Sequence, residues 1–541
     1  MNLNIRSFYA ATVFLAALSI ASTAFGQKHG GVLRTYDPDS PGGMSIMEEA
    51  TVFARGPMMG VFNNLIMFDQ QVAQNSLQSI VPDLATNWEW NEDGTELTFK
   101  LRHGVKWHDG EPFTAQDVKC TSDLRMDKAP QKLRINPGKS AGYNLAEVTT
   151  NGDWEVTFHL KRPQPAFPML IAGDTSGIYP CHVSPGQMRQ HPIGTGPFKF
   201  VEYRPNGDIK VTRNTDYWKP DRPYLDGIEY TIIKDPATAN LAFIAGKFDI
   251  TFPYTLTIPL LKNIQSQMPQ AICEMNTGEG INRHLLVNYH EPPFDNPQLR
   301  HAMALSIDRK AFVDTIAQGE GQIGGVLQPP PGGLWGMPPD DVKKLPGYSP
   351  DIDKNRAEGR QIMQQLGYGP QKHLTIKVTT RNLPPYRDPA VLLIDQLKQV
   401  YIDGELEEVD TPQYFPKILR KDFTVALNLQ TSGPDPKNLL QLRGECQLGW
   451  LLQPRHRQAD RPAVARGRSS AAQDHIVGDR AQTRRRRRPP HSVLRQGCDL
   501  PAALRQGVHP DGEQSVQRLA HGRRLARQIK SNTTWTCSPV T

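Results

Sequence analysis

The sequence predicts an α/β protein of two or three domains, followed by a C-terminal segment of a different character. Three observations carry that expectation. The 541 residues suffice for several large cores. Segments with the two-residue alternation of half-buried strands, such as Glu96–Leu101 and Trp154–Leu160, are interleaved with segments of helical spacing such as Ile352–Leu366. Finally, composition breaks near residue 440. From Gln441 to the end there are 19 Lys+Arg against 7 Asp+Glu, net +12, whereas the first 440 residues carry 43 against 48, net −5. The tail also lacks Phe, Tyr and Met.

The chain opens on Met1–Gly26, which has the form of a secretory signal: Arg6, an apolar run over Phe8–Ile20, and the small-residue end Ala24-Phe25-Gly26. No cysteine follows it, so a lipid-anchored start is not expected, and no later stretch reaches the roughly 18 apolar residues of a membrane span. A hydrophobic content of 38% and a charged content of 22% are ordinary for a soluble globular protein.

Gly30–Tyr36 predicts the first strand, Asp39–Gly43 a turn-rich loop, and Met44–Met67 a segment helical at its centre. Asn91–Gly94 turns the chain into strand Glu96–Leu101. Arg102–Gly104 turns it into a short strand Val105–Trp107, and His108–Gly110 turns it again. Thr114 reads as an N-cap with Asp117 three residues on, opening a helix that runs to Met126. Strands follow at Trp154–Leu160, within Pro192–Tyr203, and at Gly227–Lys234. Ala237–Asp249 reads as a helix ending in a tight turn. Beyond it come strand His284–Asn288, a Pro-started helix in Pro292–Phe312, and a helix Ile352–Leu366 stopped by Gly367. Strand Leu374–Thr380, helix Pro389–Tyr401 and strand Phe423–Leu429 complete the regular pattern.

Four of these stretches carry a resemblance: ATNWEWNEDGTELTFKLRHGVKWHDGEPFTAQDV (Ala85–Val118), GTGPFKFVEY within Pro192–Tyr203, NTDYWKPDRPYL (Asn214–Leu225) and PPFDNPQLRHAMALSIDRKAF (Pro292–Phe312). Together they closely resemble the family 5 extracellular solute-binding proteins of the peptide, dipeptide and nickel type, over roughly residues 30–440. The resemblance implies a two-lobed periplasmic binding protein of the class II type with an extra subdomain in lobe I. It implies a signal over 1–26, lobe I over 27–275, and an incomplete lobe II over 276–440. It further implies capture of a peptide or similar small polar solute for an ATP-driven importer, with the membrane permease and ATPase as partners, a monomer in the periplasm, no cofactor, no metal and no nucleic acid. In peptide-binding relatives an Asp in a Trp-x-Ala-Asp-like stretch anchors the ligand's ammonium. Thr431–Lys437 (TSGPDPK) lacks that stretch, and Asp435 is its nearest candidate.

The tail 441–541 has a simpler explanation than its run of five arginines, Arg484–Arg488, suggests. A basic arm for nucleic acid is the literal reading. Read one nucleotide later, however, Gln447–Val464 permits NWDGYCNPDIDKLIDRQS and Asp511–Arg527 permits MVNSLYNGWRMDDVWLD. Both resemble the family's C-terminal landmarks. The tail is therefore read as frameshifted, crossing within Asn438–Gln447, and is expected to be mostly disordered because it offers little apolar surface to bury. A non-functional product of a frameshifted gene is accordingly the rival reading of the whole chain. With the tail's cysteines set aside, Cys120, Cys181 and Cys273 remain. They allow at most one disulfide among themselves, and burial as small hydrophobes is expected for each.

No nucleophile elbow, zincin motif or phosphate loop occurs, so no enzyme is expected and a secreted hydrolase is the lesser alternative. Trp107-His108-Asp109 sits in a turn and is expected to be structural. His284 and His290 lie six apart without further ligands at metal spacing. A binding cleft instead needs aromatic walls and a few fixed charges. The candidates are Phe252 and Tyr254 for stacking, Arg283 and Arg381 for a ligand carboxylate, since a guanidinium fork matches it, and Asp435.

Overall fold

The structure, a computed structural model, describes residues 29–431 except 73–74, 143, 253–254, 277–280, 320, 322 and 325–336, together with the strand 534–538. The signal, and the tail apart from that strand, lie outside the described residues.

Among the described residues ten strands occupy the first half of the chain: β1 (Val32–Asp37), β2 (Ile66–Phe68), β3 (Ile80–Pro82), β4 (Ala85–Trp90), β5 (Glu96–Leu101), β6 (Leu145–Thr150), β7 (Glu155–Leu160), β8 (Phe198–Tyr203), β9 (Asp208–Arg213) and β10 (Gly227–Ile232). They form two four-stranded sheets, β1-β10-β9-β8 and β4-β5-β7-β6, and the small β2-β3 ladder. Within the second sheet Leu97, Phe99 and Leu101 point inward with Val156, Phe158 and Leu160, as the alternation required. Burying each such side chain stabilises the fold by about 1.5–3 kcal/mol. The helix Ala115–Arg125 covers this sheet, and its capping box is the expected Thr114–Asp117 pair.

The second lobe is built on β12 (Ile281–Val287), β13 (Leu374–Arg381), β14 (Ile402–Val409) and β15 (Val425–Thr431), in the order β12-β15-β13-β14, following a strand β11 (Ile272–Asn276). Helices Pro297–Ser306, Ile352–Gln365 and Pro384–Lys398 supply residues to its core, which contains Leu299, Met363, Val378, Leu393 and Val425. Gly367 takes φ +85° just after its helix, the left-handed conformation its stop signal implied. The architecture is the expected two-lobed α/β fold, and among the described residues no helix is long and apolar enough to cross a membrane.

Several expectations need correction. Val105–Trp107 contributes only an isolated bridge, Lys106 to Pro112. The helix expected within Pro292–Phe312 is two helices, Pro297–Ser306 and Arg309–Ala317. Ile307 is extended between them, and the Asp308 side chain caps the second by accepting from the Ala311 amide. The helix expected from Pro389 starts at Pro384, where two prolines fill a first turn that needs no N–H partners.

Cys120 and Cys181 form a disulfide rather than sitting as separate small hydrophobes. Cys273 is disulfide-bonded too, and stands opposite Cys537 in the antiparallel ladder that β11 makes with β16 (Thr534–Ser538). Those five tail residues are a strand, within a tail expected to be mostly disordered whose other residues lie outside the described ones.

Candidate ligand-binding site

Where β1 ends, the chain enters a buried acidic loop. Asp37 Oδ1 accepts the Asp39 amide at 3.0 Å, and Asp39 Oδ1 accepts the Ser40 amide at 2.8 Å. These short-range bonds turn the Asp39 carboxylate toward the second lobe. There the last residue of β13, Arg381, reaches across, and its Nη2 donates to Asp39 Oδ2 at 2.8 Å. Arg381 Nε also donates to Thr411 Oγ1 at 2.9 Å, and Nη1 to the Tyr386 hydroxyl at 2.7 Å. Thr411 in turn donates to Asp39 Oδ2. The guanidinium is fully buried and lies 4.5 Å from the Tyr386 ring centroid and 5.2 Å from that of Phe53, with Phe415 on a further side. A buried charge so fully paired is stable only as a set, and removing one partner costs about 3–5 kcal/mol.

Around this pair runs an apolar cluster drawn from both lobes: Tyr36, Phe53 and Phe252 from the first, Leu383 and Tyr386 from the second. Phe252, a candidate wall residue, is 4% exposed and packs against Phe53 at a centroid distance of 5.8 Å. Arg283, on β12, keeps solvent contact, and its guanidinium has no hydrogen bond or ion pair to a described residue. Surrounding protein desolvates its guanidinium enough to lower its pKa, with the neighbouring Tyr386 opposing the shift. It places a cation at the edge of the cluster, unpaired among the described residues.

Of the five candidates, the structure thus gathers Phe252, Arg283 and Arg381 about Tyr386. Tyr254 and Asp435 lie outside the described residues. Arg381, expected to offer its fork to a ligand carboxylate, uses it on the chain's own Asp39. Sequence reasoning missed Asp39, Phe53, Tyr386 and Thr411. Asp39 looked like an ordinary turn residue, and the other three lie in or at the ends of helices that carry no chemical motif.

His108 stands apart from this cluster, in the structural turn assigned to it. Among the described residues no group of three or more His, Cys, Asp or Glu could hold a metal ion.

Residues 79–447 match the family model described as bacterial extracellular solute-binding proteins, family 5 Middle. The chain is 26% identical over 365 residues to a di/tripeptide-binding protein of Pseudomonas aeruginosa, covering 62% of this chain and 64% of that one. It is 26% identical over 339 residues to a glutathione-binding protein of Escherichia coli, covering 61% of each. The chain therefore spans less than two thirds of these relatives' length. Its fold is similar to the periplasmic binding protein DppA of Helicobacter pylori, solved with the peptide STSA, at a TM-score of 0.66 and 22% identity over 77% of this chain and 81% of that one. It is likewise similar to a dipeptide-binding protein of a Pseudoalteromonas species, solved with Met-Leu, at 0.66 and 22% over 76% and 82%.

Proposed function

Because the chain belongs to the family 5 bacterial extracellular solute-binding proteins, we propose that it is the periplasmic substrate-binding component of an ATP-driven importer, capturing a peptide or similar small polar solute and delivering it to a membrane permease. The observation that carries this reading is the aromatic cluster shared by the two lobes, with charged groups inside and beside it. Aromatic side chains with a few placed charges where two lobes meet are the general make-up of a small-ligand site. In this reading 27–275 form lobe I and 276–440 an incomplete lobe II. Phe252 and Tyr254 supply an aromatic wall, Arg283 the cation for a ligand carboxylate, Arg381 the fixed charge beneath it, and Asp435 a counter-charge. The protein acts as a monomer, without cofactor, metal or nucleic acid, and without catalysis.

Calorimetry with Met-Leu and with glutathione tests the reading. Saturable one-to-one binding without turnover is expected for at least one of them. Hydrolysis of the peptide, or no heat from either solute or from a di- and tripeptide panel, overturns it. The altered composition after residue 440 supports a second reading, the non-functional product of a frameshifted gene. Repeating the titration on a chain restored in frame after Asn438 separates the two, since only the second reading has the restored chain bind and this one fail.

A further inference from the structure

Near the Asp39–Arg381 contact lie two further buried carboxyl groups, Asp37 and Glu49. Asp37 is fully buried. Its Oδ1 takes the Asp39 amide, but its Oδ2 has no hydrogen-bond partner. The charges it faces are Asp39 on its own loop and Arg381 from β13, and its field reaches the Tyr230 phenol on β10. Glu49 is 7% exposed and 3.6 Å from Arg134, with Glu48 and Asp39 also near. Glu48 is taken by Arg189 at 2.7 Å, and Tyr203 of β8 feels Glu49, Asp39 and Asp37 together.

Gly42, on the first lobe, lies against Glu49 and Arg134 on one side and against the other lobe on the other. A methyl group built on Gly42 would stand 3.3 Å from Glu49 Oε1 and 3.2 Å from Cβ of Pro412, the residue after Thr411. The loop that holds Asp37 and Asp39 and screens Glu49 is therefore packed against the same element of the other lobe that carries Thr411, and Arg381 acts on Asp37 from beside it.

We propose that the Asp39–Arg381–Thr411 contact is a proton-linked latch between the lobes: when it forms, Asp37 and Glu49 are shut away from water, so that closure takes up protons. Burial supports the sign. It raises the Asp37 carboxyl well above the usual range and Glu49 to about 7, Arg134 opposing the latter. With the lobes apart, water returns and both groups ionise at ordinary carboxylate values. Closure is thus favoured below those ordinary values and loses that support as pH rises through the raised ones. For Glu49 alone the closed-to-open ratio falls on the order of tens of fold between pH 5 and pH 8. No ligand is needed, so the outcome does not depend on what the chain captures.

Small-angle X-ray scattering of the full chain at pH 5 and pH 8 tests this, with D39N, which breaks the latch, as the open reference carrying the same tail. The native chain is expected to be more compact at pH 5 than at pH 8, and D39N expanded at both. E49Q and D37N, whose neutral amides mimic the protonated groups, are expected to stay compact at pH 8. If D39N fails to fold, T411V replaces it, since it removes the hydroxyl shared by Arg381 and Asp39. A native radius of gyration that does not change with pH overturns the proposal, as does a native-sized swing surviving in both E49Q and D37N.

Discussion

His108 joins two glycines of a distant turn. Its Nδ1 accepts the Gly194 amide at 3.3 Å and its Nε2 donates to the Gly196 carbonyl at 3.0 Å, which fixes the ring as the neutral tautomer protonated on Nε2. Burial pushes its pKa down to about 4, with the bond to Gly196 opposing. The unfolded chain binds a proton here near pH 6.5 and the folded one does not. Stability is therefore expected to hold above pH 6.5 and to fall as pH drops from there toward 4. In H108L that part of the acid slope should vanish, while the unpartnered Gly194 amide costs about 1–3 kcal/mol at pH 7. Thermal melts of both proteins across this range check it.

The turn that His108 holds has no room for a side chain. A methyl on Gly196 would stand 2.5 Å from the Gly60 carbonyl oxygen and 2.6 Å from the Val61 carbonyl carbon, both backbone atoms that cannot swing aside. G196A is expected to lose at least about 1–3 kcal/mol, the usual range for overpacking. G138A, whose nearest neighbour would be 3.9 Å away, should be nearly neutral. Urea midpoints measured side by side decide this.

The Cys120–Cys181 bridge ties the helix Ala115–Arg125 to a loop 61 residues later. Chain-entropy reasoning gives such a closure about 4 kcal/mol, released mainly through the unfolded state. The double variant C120S/C181S is expected to show a lower denaturant midpoint of that order. An unchanged midpoint would mean that the bridge only decorates a structure already fixed by packing.

Arg283 is expected to make the largest single polar contribution to ligand capture. R283A should weaken binding of a carboxylate-bearing ligand by about 1.5–3 kcal/mol in calorimetry, the range for hydrogen bonds to charged groups. The same ligand with its carboxylate converted to an amide should not distinguish R283A from the parent. Equal affinities for the free acid refute this role.

Restoring the reading frame after Asn438 should change how the protein responds to ligand. At 100 times its dissociation constant, a ligand that binds only the folded state adds about 2.7 kcal/mol. At that same ligand concentration the restored chain should show the corresponding rise in melting midpoint and the present chain, binding more weakly without its C-terminal part, a smaller one. Equal rises would show that the tail is irrelevant to capture.

How far the fold could be read in advance follows from where its signals lie. Glu96–Leu101 was legible to the residue because one face is dry and the other wet, and Thr114–Asp117 because a capping box is a local pattern. β14 was missed: Ile402–Val409 is an edge strand rich in Asp and Glu, with little alternation to betray it. The helix Thr411–Leu419 was missed because Pro412 and Pro416 break its helical look, although Pro412 falls in the first turn, where proline is at home. At the site, Arg381 was found by residue type, but its partner could not be. Asp39 lies 342 residues away, and nothing local to either residue announces the other.

The same long reach sets an order of assembly. β4, β5, β6 and β7 find all their partners within Ala85–Leu160, so that sheet can close as soon as this stretch has been made. β1 cannot. The Gly31 amide waits for Asp226, 195 residues on, and the Arg34 amide for Asp249, 215 residues on. A nascent chain halted near residue 200 would hold the finished β4-β5-β7-β6 sheet and the β2-β3 ladder beside an unpaired β1, whereas one halted after residue 250 could seat that strand against β10. Early contacts are local and late ones remote, and closing remote ones is slow. The first strand is thus seated after the sheet that follows it in the chain, and still before β12, which waits for β15, and β11, which waits for β16.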